Sequence, residues 1–218
     1  MSASPTMTLP PGIPATNTET EQEILGAVEE AVGGQERAEA LWQLVFFYQE
    51  QANRSDLAVP LLELIIRESD DPENTAIAYY TLGHIEQTSE KWAEALLHYE
   101  KGLSLSPRHL ATTYFLYNNA GCCLNSLGLY ESAKRYCRRA IEVNAKAPNA
   151  FKNLGVSLYG QGNLKGAAWC WGKAIKVNPS DPRAAELLDQ LLAKHPALKS
   201  ECPWIHRALK PLRKTTRG

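Results

Sequence analysis

Long apolar runs are missing from this sequence: nowhere do about 18 apolar residues follow one another, as a membrane-spanning helix requires. Its opening, MSASPTMTLPPGIPATNTETEQ, has neither the basic stretch nor the apolar stretch of a secretory leader. A soluble, cytoplasmic protein without a membrane span is therefore expected. Signatures of catalysis are also absent: there is no GxSxG, no HExxH and no glycine loop of the phosphate-cradling kind, so the chain reads as a non-enzyme without a cofactor. Cysteine is present in an odd number, five, at spacings unlike a disulfide framework, and reduced thiols are expected. His195, Cys202 and His206 form the sole cluster of metal-ligand type, and their spacing fits no zinc module, so no metal is expected. No segment alternates with period two for long enough to make a strand.

What is present is the balance of a soluble globular chain, 218 residues with 44% apolar and 22% charged. The net charge of −1 hides a polarity. Residues 1–109 carry 18 acidic against 6 basic side chains, and residues 110–218 carry 6 against 17. Such an asymmetry bears on association rather than on fold, and it raises head-to-tail self-association as a structural role. The basic second half raises nucleic acid as a weaker one, disfavoured because the tail HRALKPLRKTTRG lacks interleaved aromatics.

Along the chain, residues 1–18 are rich in Pro, Thr and Ser and read as a disordered arm. Thr20 and Glu23 have capping-box spacing, and Ile24, Leu25, Val28, Ala31 and Val32 form one apolar stripe of an N-terminal helix over 19–34, ended by Gly33-Gly34. Three later segments superimpose on Gly83, Gly121 and Gly155, which are 38 and 34 residues apart. An aromatic stands four residues before each glycine (Tyr79, Tyr117, Phe151). Ala or Leu immediately precedes it (Leu82, Ala120, Leu154). Ala follows twelve residues later (Ala95, Ala133, Ala167), and four further come Tyr99, Cys137 and Trp171. Pro107 and Pro179 close two of the units. The extra four residues near RHLATTY either lengthen a helix by about one turn, ~6 Å, or form a longer loop.

This pattern resembles the tetratricopeptide repeat, a helix-turn-helix unit whose small residues let two helices approach while aromatics fill the gap between units. The resemblance implies an all-α fold: a right-handed superhelix of antiparallel helix pairs with three clear repeats over 73–109, 110–147 and 148–180. A degenerate pair is expected over 35–72, where Phe46 takes the glycine seat and Pro60 interrupts the second helix. A capping helix is expected over 181–195 and a basic tail over 196–218.

It further implies a concave groove lined by the first helices, binding an extended segment of a partner protein. In that frame Thr81, His84, Phe115, Asn118, Asn119, Cys122, Asn125, Lys152, Asn153, Tyr159 and Arg183 line the groove, together with Tyr80. Asn119 and Asn153 take seats where the family commonly holds the ligand backbone, a carboxamide being both donor and acceptor; the alternative is that they meet only water or the neighbouring helix. Some members grip an acidic chaperone tail with a clamp of lysines, asparagines and an arginine; the matching seats here hold Tyr80, His84, Asn119, Asn149 and Asn153, and only Asn119 fits, so that ligand is disfavoured. Cys123 reads as a small core filler, Cys137 and Cys170 as structural, and Cys122 as a groove thiol with no cation to activate it. Arg135 and Arg138 read as a solvated face paired i,i+4 with Glu131 and Glu142.

Overall fold

Asp71-Pro72 and Asp181-Pro182 each open a helix in the way their chemistry dictates. The aspartate carboxylate accepts from the backbone N–H two residues on, at 3.1 Å in both cases, and the proline takes the first helical position, where no N–H is needed. The computed structural model describes residues 19–31, 34–51 and 54–205, and among them all regular structure is helical. The elements are α1 (Glu19–Glu30), α2 (Gly34–Phe46) with a π-helical turn (Phe47–Gln51), α3 (Ser55–Glu68), α4 (Pro72–Thr88), α5 (Trp92–Ser104), α6 (Leu110–Ser126), α7 (Tyr130–Val143), α8 (Pro148–Gly160), α9 (Leu164–Val177), α10 (Pro182–Lys194) and the short α11 (Leu198–Glu201). Among the described residues no helix is long and apolar enough to cross a membrane. Residues 1–18, Val32, Gly33, Ala52, Asn53 and the tail from His206 onward lie outside them.

Consecutive helices pack as antiparallel hairpins, α4 with α5, α6 with α7 and α8 with α9. The glycine seats explain how closely. A Cβ on Gly83 would meet Tyr99 Cδ1 at 2.9 Å, one on Gly121 would meet Cys137 Sγ at 2.7 Å, and one on Gly155 would meet Trp171 Cδ1 at 2.6 Å. Each pair crosses at its hydrogen-only position, so the aromatic or thiol of the second helix lies on bare backbone. The first helices also touch the next first helix, α4 with α6 and α6 with α8, whereas the second helices of successive units barely meet. The stack therefore curves, with α4, α6 and α8 on its inner face, in the right-handed superhelical solenoid expected.

Three details differ from the sequence reading or settle what it left open. Thr20 lies inside α1 rather than capping it, because the helix begins at Glu19. Pro60 does not break α3, which runs on to Glu68: it sits in the second turn, and only one intrahelical donor is lost. The extra residues before Gly121 form helix and not loop, since α4 and α6 have 17 residues where α8 has 13. The added turn of α6 has no side-chain cap of its own; buried Glu73 of α4 reaches across and accepts from Arg108 N (2.7 Å), His109 N (3.1 Å) and Thr112 Oγ1 (2.6 Å). Burial pushes the Glu73 carboxyl up, but those three hydrogen bonds together outweigh it and leave it below its ordinary range.

The ends are closed by apolar caps. Val28 of α1 packs on α2 and α3, fastened by the Tyr48 hydroxyl donating to buried Glu21 (2.5 Å) and by Arg37 donating to the Val28 carbonyl (3.0 Å). At the other end Leu188, Leu191 and Leu192 of α10 meet α9, and Leu198, Cys202 and Ile205 close over them.

Candidate functional site

Along the inner face the side chains fall into three groups, one for each junction between first helices. The first spans α4 and α6 and is aromatic. Tyr80 and Phe115 have ring centroids 5.8 Å apart, Tyr80 and His84 6.3 Å, and Tyr114 and Phe115 5.2 Å. Tyr114 is buried, whereas Phe115 is 42% exposed and His84 is exposed, so a partly open apolar patch faces solvent. Thr81 stands beside it but donates its hydroxyl back to the Ile77 carbonyl at 2.9 Å, which leaves a methyl and a lone pair to present. Cys122 is half-buried one turn further on, and burial raises its thiol above the ordinary range, so thiolate chemistry is suppressed there.

The second group is a ladder of amides joining three repeats. Tyr99 Oη donates to Gln87 Oε1 (2.8 Å) and accepts from Asn119 Nδ2 (3.4 Å). Asn119 Oδ1 accepts from Asn118 Nδ2 (2.8 Å), and Asn118 Oδ1 accepts in turn from Asn153 Nδ2 (3.1 Å). Beside it Asn125 Nδ2 donates to the Asn153 carbonyl (2.9 Å) while Asn125 Oδ1 accepts from Ser157 Oγ (2.8 Å). Asn119 and Asn153 are therefore half-buried with their donors committed inside the scaffold. Among the described residues Asn153 Oδ1 has no donor, and it remains the ladder's open acceptor.

The third group lies between α8 and α10. Lys152 Nζ is paired with the Asp181 carboxylate, both nearly buried, and Arg183 Nε stands 3.3 Å from the same carboxylate. The Lys152 hydrogen bond first, outweighing burial, holds the Asp181 carboxyl at about 2. Trp171 Nε1 donates to the Lys152 carbonyl at 3.1 Å, and the Tyr159 ring, partly exposed, lies 6.1 Å from Trp171.

Two expected groove residues thus do not line an open surface. Asn118 is 5% exposed because its amide bridges α6 to α8, and Lys152 is 6% exposed because Asp181 draws its ammonium inward. The outer-face pairing also differs: Glu131 bonds Lys134 at 2.7 Å and Glu142 bonds Arg139 at 2.9 Å, both i,i+3, and not the i,i+4 partners Arg135 and Arg138. Cys123, Cys137 and Cys170 are buried in the packing between helices, and Cys202 sits under the C-terminal cap. Among the described residues no group of three potential ligands could hold a metal; His206 lies outside them.

Gln87, Tyr99, Ser157 and Asp181 are polar partners that the sequence reading did not place at this face. For Gln87 a signal existed: it stands four residues after Gly83, as Asn125 does after Gly121, so the repeat frame already aligned two carboxamides. Asp181 caps α10, and its second role needs the position of α8.

The family model described as tetratricopeptide repeat matches residues 116–146. Photosystem I assembly protein Ycf3 of Cyanophora paradoxa is 31% identical over 49% of this chain and 69% of its own length. Human tetratricopeptide repeat protein 7B is 32% identical over 47% of this chain, a match spanning 12% of that protein's length. Among solved structures, MamA residues 41 to the end from Desulfovibrio magneticus RS-1 aligns over 86% of this chain and 100% of its own with a TM-score of 0.66 at 17% identity. The second domain of human RPAP3, solved with the HSP70 peptide SGPTIEEVD, aligns over 56% of this chain and 98% of its own with a TM-score of 0.51 at 21% identity. Both structural likenesses concern the fold.

Proposed function

The chain belongs to the tetratricopeptide-repeat family, and on that footing we propose that it is a non-catalytic adaptor whose inner face holds an extended, uncharged segment of a partner protein. The carrying observation is that this face offers exposed apolar surface while its lysine is spent, leaving Arg183, itself beside Asp181, as the one exposed cation among the expected groove residues. Phe115 stands open beside Tyr80 and His84, and Lys152 is turned in on Asp181. An aromatic or aliphatic side chain of the segment packs against Tyr80 and Phe115, where desolvating one large ring contributes on the order of 2 kcal/mol. The segment's backbone N–H groups reach the Asn153 carboxamide oxygen. An acidic tail such as the one in the RPAP3 complex is a poor fit, because Tyr80 and His84 stand at two of the seats a carboxylate clamp uses and offer no permanent charge.

Panning a random peptide display library against the full chain tests this reading. Enriched peptides are expected to be uncharged with a recurrent aromatic or aliphatic position, and Phe115→Ser should weaken them about tenfold, matching the loss of roughly 1.4 kcal/mol. Enrichment of acidic peptides, or binding indifferent to Phe115→Ser, would overturn it.

A further inference from the structure

Among the described residues one row of helices carries much of the charge polarity of the sequence; five further basic residues belong to the tail beyond Ile205. On the outer side α1 has five glutamates and no basic residue, α3 three acids against one arginine, and α5 two acids against one lysine. The row then changes sign: α7 has four basic residues against two acids, and α9 has three lysines and no acid. The inner helices carry the same trend more weakly: α4 has Glu73, already spent on the start of α6, and Glu86, α6 is uncharged, and α8 holds only Lys152, already paired. The acidic and basic extremes thus sit at opposite ends of the same outer row.

The two extremes also match in spacing. On α9 the residues Lys165, Trp169, Lys173 and Lys176 recur at offsets of 4, 4 and 3 along the helix and so share one face. Trp169 is 47% exposed, and Lys173 Nζ lies 5.1 Å from its ring centroid. On α1 the residues Glu19, Glu23, Ala27 and Glu30 recur at the same offsets, and all four are exposed. Gly26, beside Ala27, has open space where a Cβ would be.

We propose that α9 of one copy of this protein docks antiparallel on α1 of a second copy. In that orientation the offsets, 3, 4 and 4 on α9 against 4, 4 and 3 on α1, agree to within one residue: Lys176 meets Glu19, Lys173 meets Glu23 and Lys165 meets Glu30, while the Trp169 indole lies over Gly26 and Ala27, the low point of the acidic stripe. A parallel arrangement sets Trp169 on Glu23 and Lys173 on Ala27, and loses one of the three ion pairs. Lys165 now holds exposed Glu201 at 2.9 Å and exchanges it for Glu30. The stripes are each ~16 Å long, about three helical turns. Ion pairs between exposed side chains are individually weak and screened by salt, so the buried indole anchors the contact and the lysines fix its register. Because the two surfaces differ, every copy keeps one stripe free, and the assembly grows as an open chain or closes as a ring.

Light scattering on the full chain, with folding of each variant checked by circular dichroism, tests the proposal. The weight-average mass of the wild type should exceed the monomer by about twofold or more in about 20 mM salt and return to the monomer in about 500 mM, where screening is strong. Two double variants, Lys173→Gln with Lys176→Gln and Glu19→Gln with Glu23→Gln, all exposed save half-buried Lys173, should each be monomeric alone. Mixed together they should form a 1:1 dimer and nothing larger, since each retains the stripe that the other lacks. A wild type that is monomeric in low salt, a variant that still self-associates, or a mixture that stays monomeric would each overturn it.

Discussion

At the scale of single residues, the repeat is held by seats where a side chain is forbidden and seats where one is merely strained. Gly155 belongs to the first kind, because Trp171, 2% exposed, occupies the place of its Cβ. Gly155→Ala is expected to cost about 1–3 kcal/mol, the usual range for overpacking a filled core, read as a lower urea midpoint. The turn seat seven residues after each crossing glycine is of the second kind. Gly128 and Gly162 take it with φ of 73° and 75°, and in the earlier unit Glu90 takes it with φ of 58°. A left-handed conformation costs a non-glycine residue roughly 1 kcal/mol, so Glu90→Gly should raise the melting temperature in a thermal scan.

At the scale of elements, two carboxylates hold helix ends in place. Glu73 is the acceptor for the start of α6, and Glu73→Ala leaves the Arg108 and His109 N–H groups without it; a loss of about 2 kcal/mol is expected, with faster amide exchange confined to the first turn of α6. Asp181 caps α10 and neutralises Lys152 of α8. Its folded carboxyl titrates at about 2, below the ordinary aspartate value near 4, so its contribution, on the order of 2 kcal/mol, is complete above about pH 5 and is lost as pH falls toward 2. Asp181→Asn should cost about 3 kcal/mol at neutral pH, because it strands a buried ammonium. Chemical denaturation of the variant should also be flatter than that of the wild type between pH 5 and about 2.

At the scale of the whole molecule, stability is a sum of repeat and interface terms, and the amide ladder is the polar part of two interfaces. Asn118→Ala removes one of the bridges from α6 to α8, takes away the donor to Asn119 Oδ1, and leaves Asn153 Nδ2 with only the backbone carbonyl of residue 118, at 3.3 Å. The expected loss is about 1–3 kcal/mol, with a lower urea m-value as the α8–α9 unit uncouples from the rest. An m-value unchanged in Asn118→Ala would mean that apolar packing alone transmits the cooperativity.

The repeat frame was legible in the sequence because its cause is local and periodic. A close helix crossing demands a small residue at one place on each helix, and the same demand returns every 34 or 38 residues, as Gly83, Gly121 and Gly155 show. The charge polarity was legible for the same reason, being a property of composition along the chain. What only the tertiary structure decided was which polar side chains of the inner face are free. Asn118 and Phe115 both fall on α6 in the repeat frame, yet one is sealed by Asn153, 35 residues later, and the other stands open. Such partners lie across a repeat boundary, so their pairing depends on the rotation of one helix against the next. Small side chains permit that rotation, and the packing of the whole stack sets it.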